Sequence, residues 1–273
     1  MARNERGRRG ARPPRTDRDK PNSRGGRSSW DPVASWYDST IGVRGSPHHR
    51  KAALPTVMRL ADLRPGERLI DIGCGQGVLA QPVMKAGVDY LGVDASEAMI
   101  RHARKRRGPE VSFAVGDARD LVGTTAVKPA SFDVAVFLLS LQDMDPLTEV
   151  FASTRAVLKE GGRLVLFMIH PAFRAPRGSG WGYDERRKLV FRRVERYLSR
   201  AAVPMKSYAE VGAGQRGATI SFHRPMQDYV AALAANGLLI DALVELPDPV
   251  KGSDERADSA EIPLFLALRA RRV

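Results

Sequence analysis

Apolar segments alternate with helix-like segments between residues 68 and 169, and this alternation constrains the fold more than any other feature of the chain. Hydrophobic runs predict five strands at 68–72, 90–93, 111–115, 134–138 and 163–169. Helical patterns lie at 76–85, 96–106 and 146–158, and Ser96 is suited to cap the second helix. Strands that alternate with helices form parallel βαβ units. The sequence therefore predicts a doubly wound α/β sheet.

Segments on both sides of this pattern complete the predicted domain, which covers residues 30–273. Residues 30–37 and 52–60 read as two helical stretches, called here the N-terminal cap (residues 30–60). A later helix at 227–235 and strands at 238–244 and 264–268 bring the predicted sheet to seven mostly parallel strands. Residues 171–223 break the rhythm and are long, basic and aromatic, so we predict that they form an inserted lid.

Residues 1–29 differ in composition from the rest of the chain. They contain ten Arg or Lys residues and three acids, with almost no apolar side chains, within a chain of formal net charge +13. A segment of this kind cannot bury enough surface to fold, so we expect a disordered basic tail. The tail is either an incidental solvated extension or a grip on RNA or another polyanion.

Cysteine content and hydropathy bear on the location of the protein. The single cysteine, Cys74, excludes an internal disulfide framework and fits a reducing compartment. The sequence has no apolar run long enough to span a membrane and no apolar core of a signal peptide near its start. These features predict a cytoplasmic protein without a membrane span, and they leave its oligomeric state open.

The ends of the predicted strands carry small and acidic residues. The first strand runs into the glycine-rich turn DIGCGQG at 71–77, the second ends at Asp94, and Gly116-Asp117-Ala118 follows the third. Ligands bind at the carboxyl ends of strands in an open α/β sheet, where glycines permit tight turns and an acid suits ribose hydroxyls. Position 78 is valine, so the dinucleotide spacing G-x-G-x-x-G is absent.

Together, five segments at 69–77, 91–94, 116–118, 132–134 and 158–162 resemble, in order and spacing, the motifs of class I S-adenosylmethionine-dependent methyltransferases. The resemblance extends over roughly residues 30–270, and it implies a Rossmann-like enzyme that uses S-adenosyl-L-methionine. By this resemblance, Gly73 and Gly75 line the methionine portion, Asp94 the ribose, Asp117 with Ala118 the adenine, and Leu138 lies beneath the donor. Asp71, Gly77 and Ala95 complete the predicted cofactor site.

Residues 34–38, Ala-Ser-Trp-Tyr-Asp, are similar to the N-terminal helix of methyltransferases of the ubiquinone and menaquinone biosynthesis type. In that type the tyrosine lies near the donor. The similarity therefore implies that Tyr37 contributes to the acceptor side of the site.

Several kinds of acceptor chemistry are disfavoured by residues that are missing or misplaced. The fourth strand continues as Leu138-Leu139-Ser140-Leu141 and lacks the Asn/Asp-Pro-Pro-Tyr turn of enzymes that methylate planar amino groups. Cys74 lies in the glycine turn, which makes it unsuitable as the nucleophile of a pyrimidine C5-methylating enzyme. His48 and His49 are adjacent and point different ways, so no metal site is predicted.

Two histidines are the candidate acceptor-side groups besides Tyr37. His170 ends the fifth predicted strand, and either orients or deprotonates the acceptor or bonds to a neighbouring loop. His223 precedes the helix that starts near Pro225, in a segment similar to those that border the acceptor pocket of related small-molecule enzymes. Asp143 can also hold an acceptor hydroxyl or amine.

Three functions follow from this interpretation. The first is methyl transfer to O, C or aliphatic N of a small molecule, with the lid covering the acceptor. The second is RNA methylation, because the lid interleaves basic residues with Trp181, Tyr183, Phe191, Tyr197 and Tyr208, a pattern that can bind single strands. The third is a non-catalytic protein that binds S-adenosylmethionine.

Overall fold

The architecture is taken from a computed structural model that describes residues 29–205, 219–250 and 260–273. The predicted tail, except for its last residue, and Tyr208 of the lid lie outside the described residues. Eleven strands are described: β1 Arg68–Ile72, β2 Asp89–Asp94, β3 Ser112–Val115, β4 Phe132–Leu138, β5 Leu158–Ile169, β6 Ser179–Asp184, β7 Leu189–Val194, β8 Ala201–Pro204, β9 Ile220–His223, β10 Leu238–Leu246 and β11 Phe265–Arg272.

Seven of these strands form one sheet in the order β10-β11-β5-β4-β1-β2-β3. Strands β1 to β5 are parallel to their neighbours among themselves, whereas β11 is antiparallel to both β5 and β10. Strand order reverses between β1 and β4, which is where ligands bind in folds of this kind. The predicted seven-stranded, mostly parallel α/β sheet is therefore confirmed.

Six α-helices are described: α1 Ala34–Ile41, α2 Leu54–Ala61, α3 Ala80–Lys85, α4 Glu97–Arg107, α5 Leu147–Val157 and α6 Met226–Ala235. Helices α2 to α6 cover the two faces of the sheet, and α1 packs against α4. Buried side chains of α2, α3 and α4 share one apolar cluster with the sheet, and those of α5 and α6 share another. Burial of these two clusters stabilises the sheet and fixes the positions of its strand ends.

The observed boundaries of α3 and β5 differ from the boundaries predicted from the sequence. Ser96 caps α4 as predicted, because its hydroxyl accepts the Met99 amide at 3.1 Å. Helix α3 begins at Ala80 and not at residue 76, because Gly75 and Gly77 adopt positive φ angles that a helix cannot contain. Strand β5 begins five residues earlier than predicted, since Leu158 pairs with Phe132 across an irregular register.

The described part of the lid consists of two small antiparallel sheets, in which β6 pairs with β7 and β8 pairs with β9. Within the described ranges, we find no helix with the length and apolar character needed to cross a membrane.

Candidate active site

A cavity of about 1070 Å³ lies at the carboxyl ends of the central parallel strands. Most of the residues predicted to contact a ligand line it: Tyr37, Asp71, Gly73, Gly75, Asp94, Ala95, Asp117, Ala118, Leu138 and His223. Its volume is at the upper end of the range for small-ligand sites, so it has room for a cofactor and an acceptor together. After the predicted roles, we call the part of the cavity lined by residues from β1–β4 the cofactor half. The part lined by the cap, the segment after β4 and the lid is called the acceptor half.

The glycine turn after β1 brings the backbone close to the cavity. The amides of Gly73 and Cys74 both donate to the Val93 carbonyl, at 2.7 and 3.1 Å, which ties the turn to β2. Gly73 has φ +70°, and a Cβ there would lie 2.6 Å from the Ser140 side chain. Only glycine fits this position without displacing its neighbours.

Gly77 is not among the residues that line the cavity, although it was predicted to bind the cofactor. A Cβ on Gly77 would lie 2.6 Å from the Phe113 ring. The glycine therefore permits the turn to pack against the aromatic side chain of β3, and its place in the motif reflects packing.

The Asp94 carboxylate connects the glycine turn to the start of α4. One of its oxygens accepts the Gly75 amide at 2.9 Å, and the other accepts the Ser96 amide at 2.8 Å. Burial raises the pKa of Asp94, and these two backbone bonds oppose the increase. Each carboxylate oxygen accepts more than one hydrogen bond, so Asp94 retains acceptor capacity toward the cavity.

Two buried acceptor atoms at the cavity wall have no hydrogen-bond partner: Asp71 Oδ1 and Gln76 Oε1. The other polar atom of each side chain is engaged, because Asp71 Oδ2 accepts the Tyr90 hydroxyl at 2.7 Å and Gln76 Nε2 donates to the Gly42 carbonyl at 2.8 Å. Burial raises the pKa of Asp71 to about 7. Buried acceptors are normally satisfied, so this pair fits a ligand that brings hydrogen-bond donors.

Asp117 lies at the rim of the cofactor half and interacts with the side chain of Arg119. The Arg119 guanidinium donates to both carboxylate oxygens, at 2.5 to 3.1 Å, and the Arg119 amide adds a bond at 2.9 Å. The backbone of 116–118 lines the cavity beside this ion pair. The carboxylate is therefore held in a fixed position.

The N-terminal cap closes one side of the acceptor half. Trp30 and Tyr37 line the cavity and contact each other edge to face, with ring centroids 5.2 Å apart. The Arg106 guanidinium of α4 binds both carboxylate oxygens of Asp38 and so fixes the cap to the body of the domain. The cap consequently restricts access to the cavity.

Asp143 enters the cavity just beyond β4 and receives a side-chain hydrogen bond from Trp30. Burial raises its pKa to about 8; the Trp30 bond opposes this increase, and the nearby Asp94 charge adds to it. The sequence indicated Asp143 only as one of several candidates. Its contact with Trp30 joins segments more than one hundred residues apart, and no local pattern shows such a contact.

His223 and Arg224 form part of the lid side of the acceptor half. His223 Nε2 lies 2.8 Å from the Tyr197 carbonyl, which can only accept, so Nε2 carries the proton and Nδ1 is the ring's free acceptor. Arg224 is buried and donates to the Met144 carbonyl and to Asp145, both at 2.6 Å. Sequence analysis missed Arg224, whose only signal was its place beside His223.

His170 is not among the residues that line the cavity. Its Nδ1 accepts the Ala172 amide at 3.2 Å, and its Nε2 donates to Glu245 of β10 at 2.8 Å. Both ring nitrogens are therefore used, and burial lowers the pKa of the imidazole despite the adjacent carboxylate. This arrangement connects the end of β5 to β10.

The cavity contains more acidic than basic side chains once ion pairs are considered. Asp117 is paired with Arg119 and Asp145 with Arg224. The carboxyls of Asp71, Asp94 and Asp143 have no cationic partner within the described residues. Such a cavity favours a ligand that carries positive charge.

This fold and this site define a class of protein: a Rossmann-like sheet with a glycine turn after β1, an acid at the end of β2 and an acid after β3. The comparisons with known proteins agree. Residues 69–162 match the family described as a methyltransferase domain. A crystallised S-adenosylmethionine-dependent methyltransferase from Mesorhizobium loti superposes with a TM-score of 0.64 at 26% identity, over 85% of this chain and 100% of that one.

Curated relatives match over shorter stretches. A demethylmenaquinone methyltransferase of Renibacterium salmoninarum is 30% identical over 53% of this chain and 59% of its own length. A ubiquinone biosynthesis O-methyltransferase of Xanthomonas euvesicatoria is 29% identical over 37% of this chain and 42% of its own length. The chain thus matches between about two fifths and three fifths of these relatives.

Residues 69–162 thus carry a methyltransferase domain, and the fold of the chain resembles that of S-adenosylmethionine-dependent methyltransferases. The predicted resemblance, fold and cofactor are confirmed by these findings. The shared region covers the cofactor half of the cavity, whereas most residues of the acceptor half lie outside the matched family segment.

Proposed function

We propose that this chain transfers a methyl group from S-adenosylmethionine to an O, C or aliphatic N atom of a small molecule. One observation carries the proposal: a single cavity joins the cofactor-type strand ends to a second wall formed by the cap and the lid. Alignment of the reacting atoms and exclusion of water are the main requirements of this displacement. A cavity covered by Trp30 and Tyr37 on one side and by β8 and β9 on the other meets both.

The residues of the cofactor half fit S-adenosylmethionine, which supplies an electrophilic methyl group on a positively charged sulfur. Asp71 Oδ1 and Gln76 Oε1 are the unpartnered acceptors that we assign to the ammonium group. Asp94 is assigned to the ribose hydroxyls, as the resemblance of segment 91–94 to the methyltransferase motif implies. Gly73, Gly75, Ala95, Asp117, Ala118 and Leu138 complete the proposed site.

On the acceptor side, we assign His223, Tyr37 and Asp143 to binding and orientation. The proton on His223 Nε2 is held by the Tyr197 carbonyl, so Nδ1 can accept a hydrogen bond or a proton from an acceptor hydroxyl. Asp143 is protonated near neutral pH because of its raised pKa, and it can then donate a hydrogen bond. Neither role requires a metal.

A small acceptor is favoured over RNA by the enclosure of the acceptor half. Relatives that are named for methylation of demethylmenaquinone and in ubiquinone biosynthesis also support a small molecule. The buried Cys74 supports the predicted cytoplasmic location. We also propose that the chain consists of a tail, residues 1–29, and one domain, residues 30–273. The domain includes a lid at about 171–223.

The test uses methyl-labelled S-adenosylmethionine and a cell extract divided into small-molecule and RNA fractions. Full-length protein and a version lacking residues 1–29 are compared, with Asp94→Ala as the inactive control. We expect label in the small-molecule fraction, equally with both versions. Label in RNA that depends on residues 1–29 would contradict the proposal in favour of RNA methylation. Tight cofactor binding without label in either fraction would show a non-catalytic protein.

A further inference from the structure

Exposed apolar side chains are concentrated in one part of the lid. Among the described residues, fourteen large hydrophobic side chains are exposed, and five of them fall within residues 183–198: Tyr183, Leu189, Phe191, Val194 and Leu198. Leu198 is 70% exposed, Leu189 54% and Phe191 46%. Leu189 and Phe191 are neighbours on one face of β7, whereas Tyr183 and Val194 lie on the opposite face. Neighbouring exposed apolar side chains such as Leu189 and Phe191 mark an interaction site.

The β6–β7 hairpin holds Leu189 and Phe191 on its outward face. β6 and β7 pair only with each other among the described strands. On the face toward the body of the domain, Arg192 lies over the Trp181 ring at 5.3 Å and donates to the Phe173 carbonyl at 2.8 Å. On the opposite face, the ring of Phe191 covers Gly182. Because alternate residues share a face, Leu189 lies beside Phe191 on this outward face.

Positive charge accompanies the apolar surface. Residues 183–200 contain seven Arg or Lys residues and three acids. Arg186, Arg187 and Lys188 lie with Glu185 in the turn between the two strands, and none of these three basic side chains forms an ion pair with another described residue. The tip of the hairpin is therefore both apolar and cationic.

We propose that the tip of the β6–β7 hairpin docks on an anionic lipid surface. Interfacial segments combine apolar side chains that enter the headgroup region with basic side chains that attract anionic lipids. A second copy of this chain is a poor partner, because self-association would bring like charges together. Single-stranded RNA is also disfavoured, because Leu189, Val194 and Leu198 are aliphatic and cannot stack on bases.

The proposed docking does not depend on methyl transfer, although the hairpin lies next in the chain to residues that line the acceptor half of the cavity. β8 follows the hairpin directly and lines the acceptor half through Ala201, Ala202 and Pro204. Docking at the hairpin tip would thus hold the acceptor half of the cavity near the lipid surface.

The test measures binding of the full-length protein to phosphatidylcholine vesicles with and without phosphatidylglycerol, at one salt concentration for all variants, so that residues 1–29 contribute equally to each. We expect binding only with phosphatidylglycerol. Leu189→Ser with Phe191→Ser should weaken it at least tenfold, because these variants remove apolar contact and no charge. Replacing Arg186, Arg187 and Lys188 by Gln should weaken it about a hundredfold.

The matched control is Leu239→Ser with Leu243→Ser on β10, where the two leucines are 50% and 48% exposed. This control should bind vesicles as the wild type does, and thermal unfolding should show that all variants fold. The proposal is overturned if Leu189→Ser with Phe191→Ser binds vesicles unchanged. It is also overturned if these variants abolish binding to single-stranded RNA, or abolish a dimer, in a protein that does not bind vesicles.

Discussion

The two halves of the cavity are built in different ways. The cofactor half comes from short stretches at 71–76, 93–95 and 116–119 and from Leu138, all at the ends of central strands. The acceptor half combines the cap, the residues after β4 and the lid, which are far apart in the sequence. Cofactor contacts are therefore encoded locally, whereas acceptor contacts depend on how distant segments pack. A protein of this class can change its acceptor without altering the strand ends.

The largest expected effect belongs to the cofactor half. Asp94→Ala should weaken S-adenosylmethionine binding about a hundredfold, because it removes charged hydrogen bonds worth about 1.5–3 kcal/mol each and releases the Gly75 amide. Calorimetry measures this directly. Asp117→Ala, whose carboxylate interacts mainly with Arg119, should lose no more than about tenfold. Wild-type affinity in Asp94→Ala would refute the ribose assignment.

Two histidine variants compare a residue of the acceptor half, His223, with a residue outside the cavity, His170. His223→Gln can retain the bond to the Tyr197 carbonyl but lacks the free ring nitrogen, so turnover should fall at least tenfold with cofactor affinity unchanged. His170→Gln should leave turnover within about twofold and lower the free energy of unfolding by about 1 kcal/mol. Labelled-methyl transfer and thermal unfolding distinguish the two. The reverse pattern would exchange their assigned roles.

The smallest expected effect is a change of cofactor affinity with pH. The pKa values of Asp71 and Asp143 are about 7 and about 8, so both carboxyls gain negative charge between about pH 6 and 9. The affinity for the cationic cofactor should rise severalfold over this range, as measured by calorimetry. Asp143→Asn should remove the upper part of the increase. An affinity that falls with pH would contradict the charge argument.

The same raised pKa values predict the opposite trend for stability without cofactor. The folded state holds protons that the unfolded state has already lost, so stability should decline as pH rises from about 4 to about 8. Asp143→Asn should reduce this decline, and thermal unfolding measured across the same pH range tests it.

The sequence allowed the sheet and the cofactor half to be predicted because both depend on local patterns. Hydrophobic runs located every strand of the central sheet, and the acids at strand ends led to Asp94 and Asp117, which line the cavity. Boundaries shifted where Gly75 and Gly77 delay α3 and where Leu158 extends β5 by pairing with β4. These shifts reflect backbone conformation and strand register, which hydrophobic periodicity does not determine.

The acceptor half was less predictable, because similar local positions led to different environments. His170 follows β5 and His223 ends β9, yet only His223 lines the cavity, since Glu245 of β10 and the Ala172 amide engage His170. The contact between Trp30 and Asp143 depends on how the cap packs against the segment after β4. Neither distinction can be made without the tertiary arrangement.

The position of β11 has a consequence for biosynthesis. This strand, Phe265–Arg272, lies inside the sheet between β5 and β10, although it comes after both of them in the chain. While residues 265–272 are still within the ribosome, the nascent chain has an unpaired β5 edge and cannot close its sheet. A chaperone that shields this edge would therefore be needed most just before translation of these residues is complete.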